Sequence, residues 1–165
     1  MDESRRDRFE EIAPGLVEPL RRYLARRTDP DTAEDVLAET LLVCWRRVTE
    51  LPDEPLPWAY GVARNCLRNA ERSARRQGRA AARLAAQPVD PGPPEAVEVH
   101  VALGRLRAED AELLRLWAWE RLEPREIAEV LETTPNAVSV RLTRARAKLR
   151  DELRKSSARA GHEQA

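Results

Sequence analysis

Between Arg141 and Arg150 the chain carries five basic residues, Arg141, Arg144, Arg146, Lys148 and Arg150, and no acid. Guanidinium groups pair in bidentate fashion with phosphate oxygens or a guanine edge, and an ammonium binds phosphate as a point charge. These side chains need a helix to present them. Val138, Leu142, Ala145 and Leu149 recur at helical spacing and form one apolar stripe, leaving Ser139, Thr143 and the cations on the other faces. A merely solvated helix face usually mixes signs, because opposite charges at i and i+4 support it. This one does not. Just upstream, Ile127, Val130 and Leu131 repeat at helical spacing behind Pro124, which suits a first helical turn, and Ala128 leaves room for close packing. Residues 132–136, Glu-Thr-Thr-Pro-Asn, break that pattern, with Thr134 as N-cap and Pro135 as first residue of the next helix. The stretch reads as a helix–turn–helix whose second helix is apolar on one side and cationic on the other, the form that enters a major groove.

A second constellation lies between Trp58 and Arg76. Arg64, Arg68, Arg72, Arg75 and Arg76 stand against the single acid Glu71, with Asn65 and Asn69 interleaved and Trp58 and Tyr60 near the start. Arginine, amide and aromatic groups on one helix hold phosphates and unstacked bases. Trp58, Val62, Cys66 and Leu67 are expected on its inner side. A proline-rich loop, Leu51–Pro57, leads into it. Before the loop, residues 32–48 form a strongly apolar helix with Asp31, Glu34 and Asp35 at its start and Arg46 and Arg47 at its end. That polarity suits the helix dipole, which is the simplest role for Asp35.

The remaining segments position these surfaces. Phe9, Ile12, Leu16, Leu20 and Leu24 mark a first amphipathic helix, which Pro14 and Pro19 are expected to kink or delay. Residues 77–100 lose apolar periodicity and gather Pro88, Pro91, Pro93 and Pro94, the mark of a semi-rigid linker. Structure is expected to resume at Val101, Leu103 and Leu106, continuing through Leu113, Leu114, Leu116 and Trp117, with 156–165 as a disordered tail. No strand pattern and no repeat is evident. The expectation is an all-α chain of two small helical domains, 1–76 and 101–155, joined by a flexible linker.

Total charge is zero, with 29 basic and 29 acidic residues, but its distribution is uneven. Residues 1–60 hold nine arginines and fourteen acids, while 61–90 hold seven arginines and two acids. Such asymmetry points to separate surfaces with different partners. Cys44 and Cys66 lie in helical apolar patterns without metal-ligand spacing, so buried thiols are expected and no metal or other cofactor. No leader and no membrane-length apolar run is read, which predicts a cytoplasmic protein with no membrane insertion. Neither a glycine-rich phosphate loop nor a catalytic triad is present, so an enzyme is not expected.

The order of motifs resembles a known family. DTAEDVLAETLLVCWRR, a proline-rich loop, WAYGVARNCLRNAERSARR, a linker and REIAEVLETTPNAVSVRLTRARAKLR follow one another as in bacterial RNA polymerase sigma factors of the extracytoplasmic-function type. The resemblance spans roughly Phe9 to Leu153. It implies a region 2 domain that binds the clamp helices of core RNA polymerase and the −10 element, and a region 4 domain that binds the polymerase flap and the −35 element. Carried over by position, Asp35, Glu39 and Thr40 are the polymerase-facing residues, an acidic patch suited to a basic partner. Trp58, Arg64, Asn65, Arg68 and Asn69 fall on the −10 surface, beside a loop that pockets a flipped base. Ser139, Val140, Thr143 and Arg144 are base readers at −35, with Arg141, Arg146 and Lys148 holding phosphates. The family also implies an anti-sigma factor as partner. The chain departs from the pattern at Ala38, typically glutamine, at Val140, typically polar, and at Glu123, often a Ser or Thr cap. The alternative reading is a stand-alone helix–turn–helix regulator of transcription.

Overall fold

A computed structural model describes residues 2–78 and 94–163; most of the linker expected from sequence, 79–93, lies outside the described residues. The chain divides into two units, Met1–Asp90 and Pro91–Ala165. Among the described residues all regular structure is helical.

In the first unit, α1 (Asp2–Ala25), α2 (Pro30–Arg46) and α3 (Pro55–Arg76) pack pairwise, with a single 3₁₀ turn at Val48–Glu50 between α2 and α3. Leu16, Leu20, Tyr23 and Leu24 of α1 meet Val36, Leu37 and Cys44 of α2 and Ala59, Tyr60, Ala63 and Leu67 of α3 in one core. The Tyr23 and Tyr60 rings lie 5.3 Å apart. Helix α1 is not delayed by its prolines: it starts at Asp2 and runs through both Pro14 and Pro19. Each proline forfeits one intrahelical bond, and burial of the Leu16–Leu20–Leu24 stripe offsets that loss. Asp29 caps α2, accepting the Thr32 N–H at 2.9 Å and the Thr32 hydroxyl at 2.7 Å. Partial burial acts to raise the Asp29 carboxyl, but the hydrogen bonds from Thr32 prevail and hold it below its ordinary value. Cys44 and Cys66 are buried free thiols. Burial pushes Cys44 up to about 11, well away from reactive thiolate chemistry.

The second unit contains α4 (Pro94–Gly104), α5 (Ala108–Ala118), α6 (Pro124–Leu131) and α7 (Pro135–Glu163), the first three packed against α7. Leu103, Leu113, Leu114, Leu116, Ile127, Val130, Val138, Leu142 and Ala145 form its core. Left-handed Glu132, with φ of 55°, ends α6, and the Thr133 N–H bonds back to the Ala128 carbonyl at 3.0 Å. Thr134 then caps α7 as expected, its hydroxyl accepting the Ala137 N–H at 3.2 Å. Helix α6 opens without a Ser or Thr; instead Glu123 and Glu126 form a capping box, Glu126 accepting the Glu123 N–H at 3.0 Å.

Two boundaries differ from expectation. Helix α4 begins at Pro94, so 94–100 is helix, not linker. From residue 96 onward only Ala102 and Leu103 of this helix are buried, with Val97 and Val101 exposed, which is why no periodicity stood out. Likewise α7 continues to Glu163 in place of a disordered tail from 156. Its last two turns are exposed and helped by one tertiary bond, Arg105 to the Ser156 hydroxyl at 3.3 Å. Ala158, Arg159 and Ala160 are good helix formers, and extension of a helix already nucleated and packed adds one bond per residue.

Candidate nucleic-acid interface

The outward face of α7 is built by its packing. With Val138, Leu142 and Ala145 buried, Ser139, Val140, Thr143, Arg144 and Arg146 point outward, Val140 being 44% exposed. An exposed valine beside hydroxyls and a guanidinium supplies an apolar contact next to polar readers. The Thr143 hydroxyl donates to the Ser139 carbonyl at 3.0 Å, which fixes its rotamer. Arg144 makes no hydrogen bond or ion pair with any described residue.

The basic face is less free than its own sequence implies. The first turn of α5 brings Glu109 within 3.7 Å of Arg141 and Asp110 within 2.9 Å of Lys148. Asp110 is only 14% exposed, so Lys148 is tied to a largely buried acid. The ammonium ties α5 to α7, so a phosphate at Lys148 would have to compete with Asp110. Arg141 pairs with a Glu109 that is 85% exposed, an ion pair water screens strongly and that opens at little cost. Arg146 lies over the Trp117 ring, 4.6 Å from its centroid. Trp117, one of the apolar positions read from the sequence of α5, is 37% exposed and serves as a platform under that guanidinium.

On α3 the arrangement is the reverse. Arg64, Arg68, Arg72, Arg75 and Arg76 make no ion pair with any described residue, and Asn65, Arg68 and Asn69 are exposed. Arg64 is half-buried, as is Trp58. The inner face falls to Ala59, Tyr60, Ala63, Cys66 and Leu67, so Trp58 and Val62 lie at its margin. One face of Trp58 carries the Arg47 guanidinium, 5.5 Å from the ring centroid, and Arg47 is itself forked onto Glu50 at 3.0 and 2.8 Å. The loop before α3 borders a recess of about 430 Å³ lined by Arg8, Glu11, Ile12, Pro52, Asp53 and Leu56 among others. Sequence reasoning did not connect Arg8 or Glu11 to this loop, since they lie some forty residues away.

On α2 the outer face presents Asp35, Ala38, Glu39 and Leu42, all exposed. Leu42 was not singled out from sequence, though it follows Asp35 by seven residues, two helical turns. Thr40, expected on this face, is 0% exposed, and its hydroxyl donates to the Val36 carbonyl at 2.7 Å. It belongs to the core of the unit and cannot meet a partner. Among the described residues no cluster of His, Cys, Asp and Glu could hold a metal ion, and no helix is long and apolar enough to cross a membrane.

The fold and these surfaces define an all-helical protein of two units, the second a helix–turn–helix with an arginine-bearing outer helix. Residues 96–149, a third of the chain, match the family described as sigma-70, region 4. No curated protein matches the sequence. Among solved structures the fold is similar to that of CnrH in its complex with the cytosolic domain of CnrY. There the identity is 22% over 94% of this chain and 90% of that one, with a TM-score of 0.59. It is also similar to the sigma factor RpoE from Bartonella quintana in complex with the anti-sigma factor NepR. That match has 20% identity over 88% of this chain and 95% of that one, and a TM-score of 0.66. The C-terminal module thus carries the sequence of a sigma-70 region 4 domain, and the chain shares the all-helical fold of these two solved structures.

Proposed function

We propose that this chain is a sigma factor of the extracytoplasmic-function type, which binds core RNA polymerase in the cytoplasm and directs promoter-specific initiation without catalysis of its own. Residues 1–76 act as region 2 and the helices from Pro94 onward as region 4. The α2 face of Asp35, Glu39 and Leu42 docks on the polymerase, two carboxylates giving Coulombic steering and the leucine a desolvated anchor. The loop Leu51–Pro57 and the outer face of α3 hold the separated −10 strand: Arg64 and Arg68 on phosphates, Asn65 and Asn69 on base edges, and Trp58 at the rim. On α7, Arg144, Ser139, Val140 and Thr143 read the −35 duplex, while Arg146 and, on release from Glu109, Arg141 hold its phosphates. An anti-sigma factor is the expected negative partner, as one occupies the solved RpoE complex.

The observation that carries this reading is a cationic helical face in each of two units, one of which matches region 4. Run-off transcription with purified core polymerase on fragments of the organism's own genome tests it. Discrete transcripts that require the protein are expected; their absence would refute the assignment. A stand-alone regulator would instead shift duplex promoter DNA in a gel without polymerase.

A further inference from the structure

The strand-holding loop has no helix of its own to stiffen it. Between the end of α2 and the start of α3 the chain passes through the 3₁₀ turn Val48–Glu50 and then Leu51–Glu54, broken by Pro52. Proline removes a donor, and carbonyls in such a segment lack the regular partners of a helix. Two of them are met from α1. The Arg8 Nε donates to the Val48 carbonyl at 3.2 Å, and an Nη of the same guanidinium donates to the Leu51 carbonyl at 3.2 Å. One planar fork thus spans the 3₁₀ turn, bonding a carbonyl at its start and one just beyond it. Val48 and Leu51 bury their side chains, at 0% and 5% exposure, so the segment is held by apolar anchors as well as by the fork on its carbonyls. A turn earlier, Arg5 donates to the Arg46 carbonyl at 3.3 Å and finishes the end of α2. Arg8 also lines the recess shared with Asp53 and Leu56.

We propose that Arg8 is a positioning residue for the −10 loop: it splints residues 48–51 against α1 so that the loop and the start of α3 are preorganised when the single strand arrives. This rests on the strand-holding role assigned above to the loop and α3. A preformed loop spares the ordering cost that binding would otherwise carry. The fork geometry matters as much as the charge, because a lysine offers one compact ammonium that cannot span both carbonyls in the same way.

The test uses the full chain with Arg8→Ala and Arg8→Lys. Amide hydrogen exchange is followed across the protein. Holoenzyme binding is measured on a fluorescent oligonucleotide carrying the non-template −10 strand of the strongest promoter found by run-off transcription. Arg8→Ala is expected to speed exchange at residues 48–54 while the α2 and α3 cores stay protected. It should also weaken strand binding about tenfold, the scale of one charge-assisted hydrogen bond, with core-polymerase affinity unchanged. Arg8→Lys should fall between Arg8→Ala and wild type in both measurements. Unchanged exchange at 48–54 in Arg8→Ala overturns the proposal whatever the holoenzyme does. Faster exchange with undiminished strand binding also overturns it, as does full recovery by lysine, which would reduce Arg8 to a charge. A wild-type holoenzyme that binds no such strand would refute the −10 assignment instead, with the exchange data still deciding whether Arg8 holds the loop.

Discussion

Helices α3 and α7 look alike as sequences, each apolar on one side and rich in arginine on the other, yet they are treated differently by their surroundings. On α3 the five arginines from Arg64 to Arg76 make no ion pair with any described residue. On α7, Arg141 meets Glu109, Lys148 meets Asp110 and Arg146 lies over Trp117. A helix without acids is therefore not the same as a helix with free cations: α5 supplies acids that the sequence of α7 lacks. On α7 Arg141 must leave Glu109 before it can hold a phosphate, whereas on α3 no ion pair with a described residue has to open first.

The contrast predicts graded effects, and the largest belong to α3. Arg64→Ala combined with Arg68→Ala should lower holoenzyme affinity for a −10 single strand by on the order of 10- to 100-fold, by loss of phosphate contacts. Fluorescence anisotropy would show this, and a loss under twofold would remove α3 from the strand. On α7, Arg144→Ala should cost about 1–3 kcal/mol of preference at one −35 position. Arg146→Ala should weaken all sequences evenly and reduce the salt slope by roughly one. Duplex titrations over a small sequence library separate these outcomes.

Asp35→Arg should weaken core-polymerase binding about tenfold at low salt, with an unaltered circular dichroism spectrum. Thr40 offers the matched contrast. Thr40→Val loses a buried hydroxyl bonded to its own helix, so it should shift the melting temperature and leave polymerase affinity alone.

The smallest effects concern the internal ties. Lys148→Met should leave the salt slope of duplex binding nearly unchanged while lowering stability by up to about 1 kcal/mol, because its charge already belongs to Asp110. A slope reduced by a full unit would return Lys148 to the phosphates. At Asp29 the folded carboxyl lies below its unfolded value, so its contribution is present above the unfolded pKa and lost as pH falls through the folded one. Asp29→Ala should cost about 1 kcal/mol near neutral pH, and that deficit should shrink in an acid titration as the folded carboxyl is protonated.

Much of this molecule was legible in the order of residues because helix formation and capping are local. Ile127 with Val130, Val138 with Leu142 and Ala145, and the Thr134–Pro135 start all act within a few residues of themselves, and the structure reproduces them. The helix–turn–helix followed from that alone. What escaped was set across larger separations. Thr40 sits on the same helix as Asp35 and Glu39, and only the packing of the first unit turns it inward. Lys148 reads as a free cation until Asp110, 38 positions away, is placed beside it. Trp117 reads as one more apolar position until Arg146 covers it at the surface, and Arg8 looks like any exposed arginine until two carbonyls forty residues on come within its reach. Helical period and end signals depend on neighbours along the chain, so the sequence by itself determined which elements form and which of their faces are apolar. The availability of a charge, the burial of a hydroxyl and the bracing of a loop depend on neighbours in space, and those only the tertiary structure decided.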